Sequence, residues 1–333
     1  MKFAPIIYLI GMLLCILSLF MLVPAFVDWF YGSENWPAFV GSSISTLFVG
    51  LILFFSNKGS ATEHLELRQA FLLTNSAWIS IALFGSLPFL LSNIEMSFID
   101  AFFESTSGIT TTGATVIENL EAKSHGILIW RALLQWLGGV GIIVMALAVL
   151  PMLSIGGMQL FKTESYETPD KVVPKAASFA AGISIVYITL TVIWALMLWG
   201  AGMPMFDSIA HAMTTLATGG YSTKSESLAA FNSSNIEIII IFGMLVGSLP
   251  FVHYLTLSKN GLKNLIKDDQ VKLFLTLVFF IVLIMSLYLS SNNIPYLEAL
   301  RLASFNVISI ITGTGFGTSD FNNWGGFPTT ILL

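Results

Sequence analysis

Residues Glu104–Val116 read ESTSGITTTGATV, a stretch dense in hydroxyl groups that lies between two long apolar segments. Irregular polar backbone is stable at membrane depth only where it is buried in protein or lines a water-filled path. In the run Thr110–Gly113, carbonyls and threonine hydroxyls can replace the hydration shell of a monovalent cation, and glycine permits the backbone angles that aim carbonyls inward. The stretch therefore predicts a site where an ion sheds its water inside the membrane.

The same pattern occurs twice more in the chain. Residues Thr214–Thr223 read TTLATGGYST, and residues Ile311–Asp320 read ITGTGFGTSD. The three copies align on the pairs Thr112-Gly113, Thr218-Gly219 and Thr314-Gly315. A short segment that starts near an acid precedes each copy; these acids are Asp100, Asp207 and Glu298. Recurrence at a spacing of about a hundred residues predicts an internal structural repeat.

The composition is that of a membrane protein. Of the 333 residues, 55% are hydrophobic and only 10% are charged, with a mean hydropathy of +0.83. Soluble domains carry about 25% charged residues, so lipid must cover much of this surface. The single cysteine, Cys15, lies in the first apolar segment and excludes a disulfide within the chain. The composition predicts a membrane protein, and the long apolar segments that follow predict an all-α polytopic fold.

Seven segments are long and apolar enough to span a bilayer, which takes about 20 residues in a helix. They are Phe3–Val27, Pro37–Phe55, Ala70–Ser92, Gly126–Leu153, Ala176–Gly200, Asn235–Leu257 and Leu273–Leu289. An eighth begins at Phe327. Three shorter segments precede the repeated loops and predict re-entrant pore helices; they are Met96–Ile109, Met205–Leu216 and Pro295–Ile311.

Charge placement predicts that the N-terminus is cytoplasmic. With that orientation, ten of the fourteen basic residues fall inside, in residues 1–2, 56–69, 154–175 and 258–272. Twelve acids then fall outside and predict a cation-attracting outer mouth. These acids are Asp28, Glu34, Glu95, Asp100, Glu104, Glu118, Glu121, Asp207, Glu226, Glu237, Glu298 and Asp320.

The chain therefore reads as an N-terminal transmembrane helix pair followed by helix–pore loop–helix units around a central pore. The pair covers residues 1–58, and the units cover residues 70–161 (filter 110–115), 176–258 (filter 216–221) and 268–333 (filter 312–317), the third being incomplete. Parallel repeats around an axis normal to the membrane would bring the loops together. The carbonyl ends of the pore helices would then face the ion, where the helix dipole favours a cation.

The predicted potassium ligands are residues of the three loops. They are Thr110, Thr111, Thr112, Gly113, Ala217, Thr218, Gly219, Gly313, Thr314 and Gly315. Arg301 is expected to pair with Glu298 or with an acid of a neighbouring repeat. His211 and His253 have no neighbours at metal-ligand spacing and are expected to be packing or hydrogen-bonding side chains. No nucleotide-binding motif is present, and the spans hold too few ionisable groups for an enzyme.

The sequence resembles the Trk/Ktr/HKT superfamily of potassium transporters over essentially its whole length, and most closely the bacterial TrkH type. Besides the loops, the resemblance rests on Trp130–Gly141, Leu150–Phe161, Leu249–Tyr254 and Phe305–Val307. It implies potassium as the transported ion, no organic cofactor, and one glycine per filter as the selectivity determinant. Because serine at the first such position goes with sodium-conducting plant relatives, Gly113 points to potassium.

The resemblance also implies partners and a larger assembly. TrkH-like proteins have four filter-bearing repeats, and the fourth is absent from this chain, so we expect a piece of a longer protein. The N-terminal pair favours the TrkH type over the sodium-dependent Ktr type, which remains an alternative, as does a non-transporting membrane scaffold. A bacterial inner-membrane homodimer with a cytoplasmic nucleotide-binding, TrkA-like subunit is implied; no nucleic acid is. The loops 154–175 and 258–272 could dock that subunit or contact lipid headgroups, and the coupling ion stays open.

Overall fold

The computed structural model describes most of the chain, and throughout the described part the regular structure is helical. The described residues are 3–60, 67–153, 172–260, 265, 267–319 and 324–332. The chain forms two compact units: the first holds residues 1–110 and 114–180, and the second holds Thr111–Gly113 and 181–333. The predicted all-α class is confirmed.

In its described residues the first unit contains six α-helices and the start of a seventh. They are α1 (Ala4–Phe30), α2 (Trp36–Ser56), α3 (Leu67–Gly85), α4 (Leu87–Leu91), α5 (Phe98–Ile109) and α6 (His125–Leu153). Proline lies in the first turn of α1 and of α2, where its missing N–H costs no hydrogen bond. The short helix α5 begins at an N-cap, Ser97, whose hydroxyl accepts the N–H of Asp100.

The N-terminal helices α1 and α2 pack closely because two glycines let their backbones approach. A Cβ at Gly50 would lie 2.9 Å from Cys15 Sγ and 3.0 Å from the carbonyl oxygen of Gly11. A buried hydrogen bond also crosses the pair, from the hydroxyl of Ser43 to the carbonyl of Ser18 at 2.7 Å. This small-residue contact is a common way for membrane helices to associate without a hydrophobic driving force between them.

A buried acid connects the helix pair α1 and α2 to the start of α6 through hydrogen bonds. The carboxylate of Asp28, at the end of α1, accepts the backbone N–H of Gly126 at 2.6 Å and the hydroxyl of Ser124 at 3.0 Å. The rings of Tyr31 and His125 stack beside it, with centroids 3.8 Å apart. An acid at a helix N-terminus satisfies free N–H groups and complements the helix dipole.

The second unit contains most of α7 and all later helices. They are α7 (Val172–Gly200), α8 (Met205–Leu216), α9 (Ser234–Ser248), α10 (Phe251–Asn260), α11 (Asp269–Ser291), α12 (Tyr296–Ile311) and α13 (Gly326–Leu332). Helices α11 and α12 share a core of Met285, Leu289, Ala299, Ala303 and Val307. Trp194 of α7 donates its indole N–H to the carbonyl of Ile239 in α9 at 3.0 Å.

Five described helical segments are long and apolar enough to cross a membrane, and they agree with five of the predicted spans. They are Ala4–Phe30, Trp36–Ser56, Arg68–Leu91, Ala180–Gly200 and Asp269–Ser291. The predicted continuous span Asn235–Leu257 is wrong, because the helix is interrupted between Ser248 and Phe251. Pro250 disfavours helical angles at the preceding residue, and Leu249 is extended with ψ 150°.

Substitution of the two glycines of α2 should separate the helix contact from helix propensity. We expect Gly50→Ala to lower the free energy of unfolding by about 1–3 kcal/mol, because its methyl would meet backbone and sulfur atoms of α1. Gly41 faces open space in the same helix, so Gly41→Ala should be neutral or raise it by about 0.5–1 kcal/mol. Thermal unfolding in detergent measures both, and equal effects would contradict the packing role.

Candidate functional site

Three short helices end in the same way, directly before the three repeated loops. Helix α5 ends at Ile109, α8 at Leu216 and α12 at Ile311. In each case the next residue donates its N–H to the carbonyl four residues earlier; the donors are Thr110, Ala217 and Thr312, at 2.9, 3.1 and 2.9 Å. These three residues are therefore structurally equivalent, and they fix a common register for the loops.

After the equivalent helix ends, each loop has left-handed backbone at alternate residues. The first left-handed residues are Thr111, Thr218 and Gly313, with φ of 56°, 50° and 74°. The second are Gly113, Gly220 and Gly315, with φ of 82°, 75° and 82°. A right-handed or extended residue separates the two. Alternating left-handed residues allow successive carbonyls to turn toward one side, which is the arrangement that an oxygen cage for an ion needs.

The common register corrects the sequence alignment of the second loop by one residue. The glycine equivalent to Gly113 and Gly315 is Gly220, and Gly219 corresponds to Thr112 and Thr314. The alignment on Thr218-Gly219 is wrong because it matched a hydroxyl–glycine pair, whereas the end of α8 sets the spacing. With two adjacent glycines in this loop, the residue letters alone could not decide between the two registers.

The left-handed threonines are unusual, because a β-branched side chain rarely adopts positive φ. Such residues cost about 1–3 kcal/mol each and persist only where the surrounding structure holds them. The third loop has Gly313 at the position of Thr111 and Thr218, so it avoids this strain. Thr111 and Thr218 therefore each carry a hydroxyl at a position where the positive φ of threonine costs free energy.

The second and third loops are in direct contact. A Cβ placed on Gly220 would overlap the carbonyl oxygen of Thr314. The N–H groups of Leu228 and Ala229 donate to the carbonyl of Gly317, at 3.2 and 3.3 Å, and the N–H of Gly317 donates to the hydroxyl of Ser227 at 3.2 Å. Because Thr111–Gly113 also belong to the second unit, the tips of all three loops lie in one compact unit.

Each pore helix also carries a buried polar side chain at one equivalent position, six residues before the turn. These residues are Glu104, His211 and Asn306, with exposed fractions of 0%, 0% and 2%. Each hydrogen-bonds to the strand that leaves its own loop. Glu104 accepts from Thr115 and from the N–H of Val116, His211 pairs with Ser222, and Asn306 donates to Thr318 and Ser319.

This shared role was not predicted, although a polar residue at the same place in each repeat indicates it. In the corrected register the position is polar in every copy, on helices whose other buried residues are mostly small or apolar. His211 was expected to be a hydrogen-bonding histidine, which its contacts confirm. Its Nδ1 lies 2.8 Å from the carbonyl of Asp207, so Nδ1 carries the hydrogen and Nε2 accepts from the hydroxyl of Ser222 at 3.0 Å.

Several acids predicted at the outer mouth are buried instead. Asp28, Glu104, Asp207 and Glu237 are 0%, 0%, 7% and 5% exposed. Asp207 accepts the hydroxyl of Thr223 at 2.6 Å, so it too holds the strand after a loop. A buried carboxylate is stable when hydrogen bonds or a cation compensate for lost water. These four acids therefore stabilise the structure through buried contacts and contribute little to a solvent-facing negative surface.

The two membrane arginines pair with acids on other helices. Arg301 donates to both carboxylate oxygens of Glu237, at 2.8 and 2.9 Å, which confirms the expected partner in a neighbouring repeat and excludes Glu298 as the partner. Arg131 donates through Nε to Glu104 at 2.7 Å. Both ion pairs join a pore helix to another helix, so each charge has a structural explanation.

His253 lies in the first turn of α10, just after the interruption at Leu249-Pro250. Its Nε2 donates to the carboxylate of Asp268 at 3.1 Å. The N–H of Val271 lowers the pKa of Asp268 most, and Gln270 and His253 lower it further. Asp268 is the N-cap of α11, so this contact joins the two helices across the segment between them.

Comparison with known proteins places the chain in a family. Residues 36–333 match the TrkH family, which is described as a cation transport protein. The chain belongs to the TrkH family. The potassium uptake protein TrkH of Salmonella typhimurium is 38% identical over 339 residues, covering all of this chain and 70% of that protein. TrkI of Halomonas elongata is 36% identical over 325 residues, covering 97% of this chain and 66% of TrkI.

A solved structure supports the same membership. The crystal structure of the potassium transporter TrkH from Vibrio parahaemolyticus matches with a TM-score of 0.91 and 36% identity, over all of this chain and 69% of that one. The chain therefore spans about two thirds of the length of these TrkH relatives. The family is one of multi-pass membrane transport proteins, which confirms the expectation that the chain is not an enzyme.

Two loop glycines with the same backbone strain allow the contact between loops to be tested. Gly220 and Gly315 are both left-handed, yet only a Cβ at Gly220 would overlap Thr314, since Gly315 faces open space. We expect Gly315→Ala to lower the free energy of unfolding by about 1–2 kcal/mol from φ strain alone. Gly220→Ala should lower it further. Thermal unfolding in detergent decides, and equal losses would argue against the loop–loop contact.

Proposed function

We propose that this chain forms the ion-selective part of a Trk-type potassium uptake protein. Potassium would lose most of its water among the carbonyls and hydroxyls of the three loops and pass inward. The observation that carries the proposal is the alternation of left-handed residues after three equivalent helix ends, in a member of the TrkH family. A scaffold protein has no reason to place left-handed residues at the same two positions of three loops.

The ion ligands of this proposal are backbone and hydroxyl oxygens of the loop tips. They are those of Thr110, Thr111, Thr112, Gly113, Ala217, Thr218, Gly219, Gly313, Thr314 and Gly315, with Gly220 added by the corrected register. Supporting this choice, the helix carbonyl ends that precede the loops carry the negative end of the helix dipole. No carboxylate is needed at the ion, and a weak, multi-oxygen cage allows an ion to leave as well as enter.

The proposed membrane is the bacterial inner membrane, with the N-terminus in the cytoplasm. Its support is the excess of lysine and arginine in the segments 56–69, 154–175 and 258–272. In this orientation an inside-negative potential contributes about 2.3 kcal/mol per charge for each 100 mV, which drives potassium inward without ATP hydrolysis by this chain. The loops open to the outside in this topology.

We also propose the partners that the family resemblance implies, a second copy of the protein and a cytoplasmic nucleotide-binding subunit of the TrkA type. The lysine-bearing segments 154–175 and 258–272 are the proposed docking surfaces, and their residues 154–171, 261–264 and 266 lie outside the described residues. Their lysines would suit an acidic protein surface or lipid headgroups. Co-purification with and without those lysines would distinguish the subunit from lipid.

The first loop offers a direct test of selectivity. We expect Gly113→Ser to lower the preference for potassium over sodium by roughly tenfold, equivalent to about 1.4 kcal/mol of differential binding. A side chain at φ 82° is strained and would shift the carbonyls of the cage. The measurement is competition between the two ions for uptake by the full gene product in potassium-uptake-deficient cells.

Gly32→Ser is the matched control for that experiment. Gly32 has a similar φ of 70° but lies in the turn between α1 and α2, where a Cβ would meet nothing within 4 Å. It should carry comparable backbone strain and leave the ion preference unchanged. If Gly113→Ser retained wild-type selectivity, or if both variants lost it alike, the loop assignment would be wrong.

A further inference from the structure

We propose that Glu104 is a positioning residue for ion selectivity: its carboxylate, held by Arg131, fixes the strand that follows Gly113. This inference rests on the proposed function. Glu104 does not belong to the predicted oxygen cage, since its side chain contacts the strand two and three residues beyond Gly113. The proposal concerns how the first loop is held in the shape that selects an ion.

The contacts of Glu104 define a latch between the pore helix and its own loop. Oε1 accepts from Arg131 Nε at 2.7 Å, and Oε2 accepts the N–H of Val116 at 3.0 Å. The hydroxyl of Thr115 lies 2.9 and 3.0 Å from the two oxygens and accepts the N–H of Ile117 at 3.1 Å. Arg131 Nε and the Val116 N–H can only donate, and the Thr115 hydroxyl can donate as well, so these contacts suit an ionised carboxylate.

Arg131 makes this ionised latch possible. An unpaired carboxylate that is fully buried would neutralise itself, and a neutral carboxyl would place its own hydrogen among donors. The guanidinium of Arg131 stays charged at all relevant pH values, is 1% exposed, and comes from the neighbouring helix α6. The pair therefore fixes the strand relative to two helices at once.

The three repeats hold their strands from the same position with side chains of different charge. Glu104, His211 and Asn306 occupy one position, and all three hold the strand leaving their loop. Only the first latch is an ion pair. Because charge-assisted hydrogen bonds are shorter and stronger than neutral ones, Glu104 holds its strand more firmly than His211 or Asn306 holds its own. The second strand also has a carboxylate contact from another position, because Asp207 accepts the hydroxyl of Thr223 at 2.6 Å.

The decisive experiment removes the latch without leaving a buried charge unpaired. Glu104→Leu with Arg131→Met replaces the ion pair by apolar side chains of similar size, a change that is often neutral for stability. Glu104→Gln with Arg131→Met keeps an amide that can accept the Val116 N–H. Glu237→Leu with Arg301→Met is the matched control, because it removes a second ion pair between a pore helix and another helix.

The two measurements for each variant of the full gene product are thermal unfolding and competition between potassium and sodium for uptake. The Leu/Met variant at 104 and 131 should fold and lose roughly tenfold in ion preference, the size expected for one charge-assisted hydrogen bond. The Gln/Met variant should lose less of the ion preference than the Leu/Met variant, because its amide still accepts the Val116 N–H, and the control at 237 and 301 should stay near wild type. An unchanged preference in the folded Leu/Met variant overturns the inference, and so does an equal loss in the Gln/Met variant.

A single substitution covers the case in which the Leu/Met variant fails to fold. Thr115→Val removes only the hydroxyl that bridges the carboxylate and the Ile117 N–H. A lowered ion preference in this variant supports the latch, and an unchanged one overturns it. A wild-type protein without any potassium preference overturns the proposed function and the inference together, whereas the variant results overturn the inference alone.

Discussion

The constraint on which the structure depends is a backbone that must be left-handed at alternate residues directly after a helix ends. L-residues resist this conformation, and the resistance is largest for β-branched side chains. Glycine removes the cost at Gly113, Gly220, Gly313 and Gly315, but Thr111 and Thr218 retain it. The loops hold this shape only because the protein around them supplies compensating contacts.

Those contacts come mostly from polar groups inside the helical packing. Ser107 and Ser309 donate to the carbonyls of Ala114 and Phe316, at 2.6 and 2.7 Å, from equivalent positions on two pore helices. Such bonds are individually modest, yet in a low-dielectric interior their loss would leave carbonyls unsatisfied at a cost of about 1–3 kcal/mol each. The pore helices thus serve as the frame on which each strained strand is held.

Much of the architecture was predictable from sequence, because lipid imposes a strong pattern on a spanning helix. Length and hydropathy located the helices α1, α2 and α11 to within a few residues. The break before Pro250 and the register of Gly219 were not, because both depend on where a helix ends rather than on which residues are present. The burial of Glu104 and Asp207 escaped for a related reason: charge alone does not show which side of a short helix faces protein.

The ion pairs of the two membrane arginines show which features the repeats share and which differ between them. Arg131 comes from α6 and pairs with an acid on a pore helix, whereas Arg301 comes from a pore helix and pairs with an acid on α9. Each ion pair satisfies a charge that would otherwise be costly within the membrane. Only the first pair also binds the strand that leaves a loop. The repeats therefore share a backbone conformation that each stabilises with different side chains. The amino-acid sequences of the copies agree best at the glycine and hydroxyl-bearing positions of the loops.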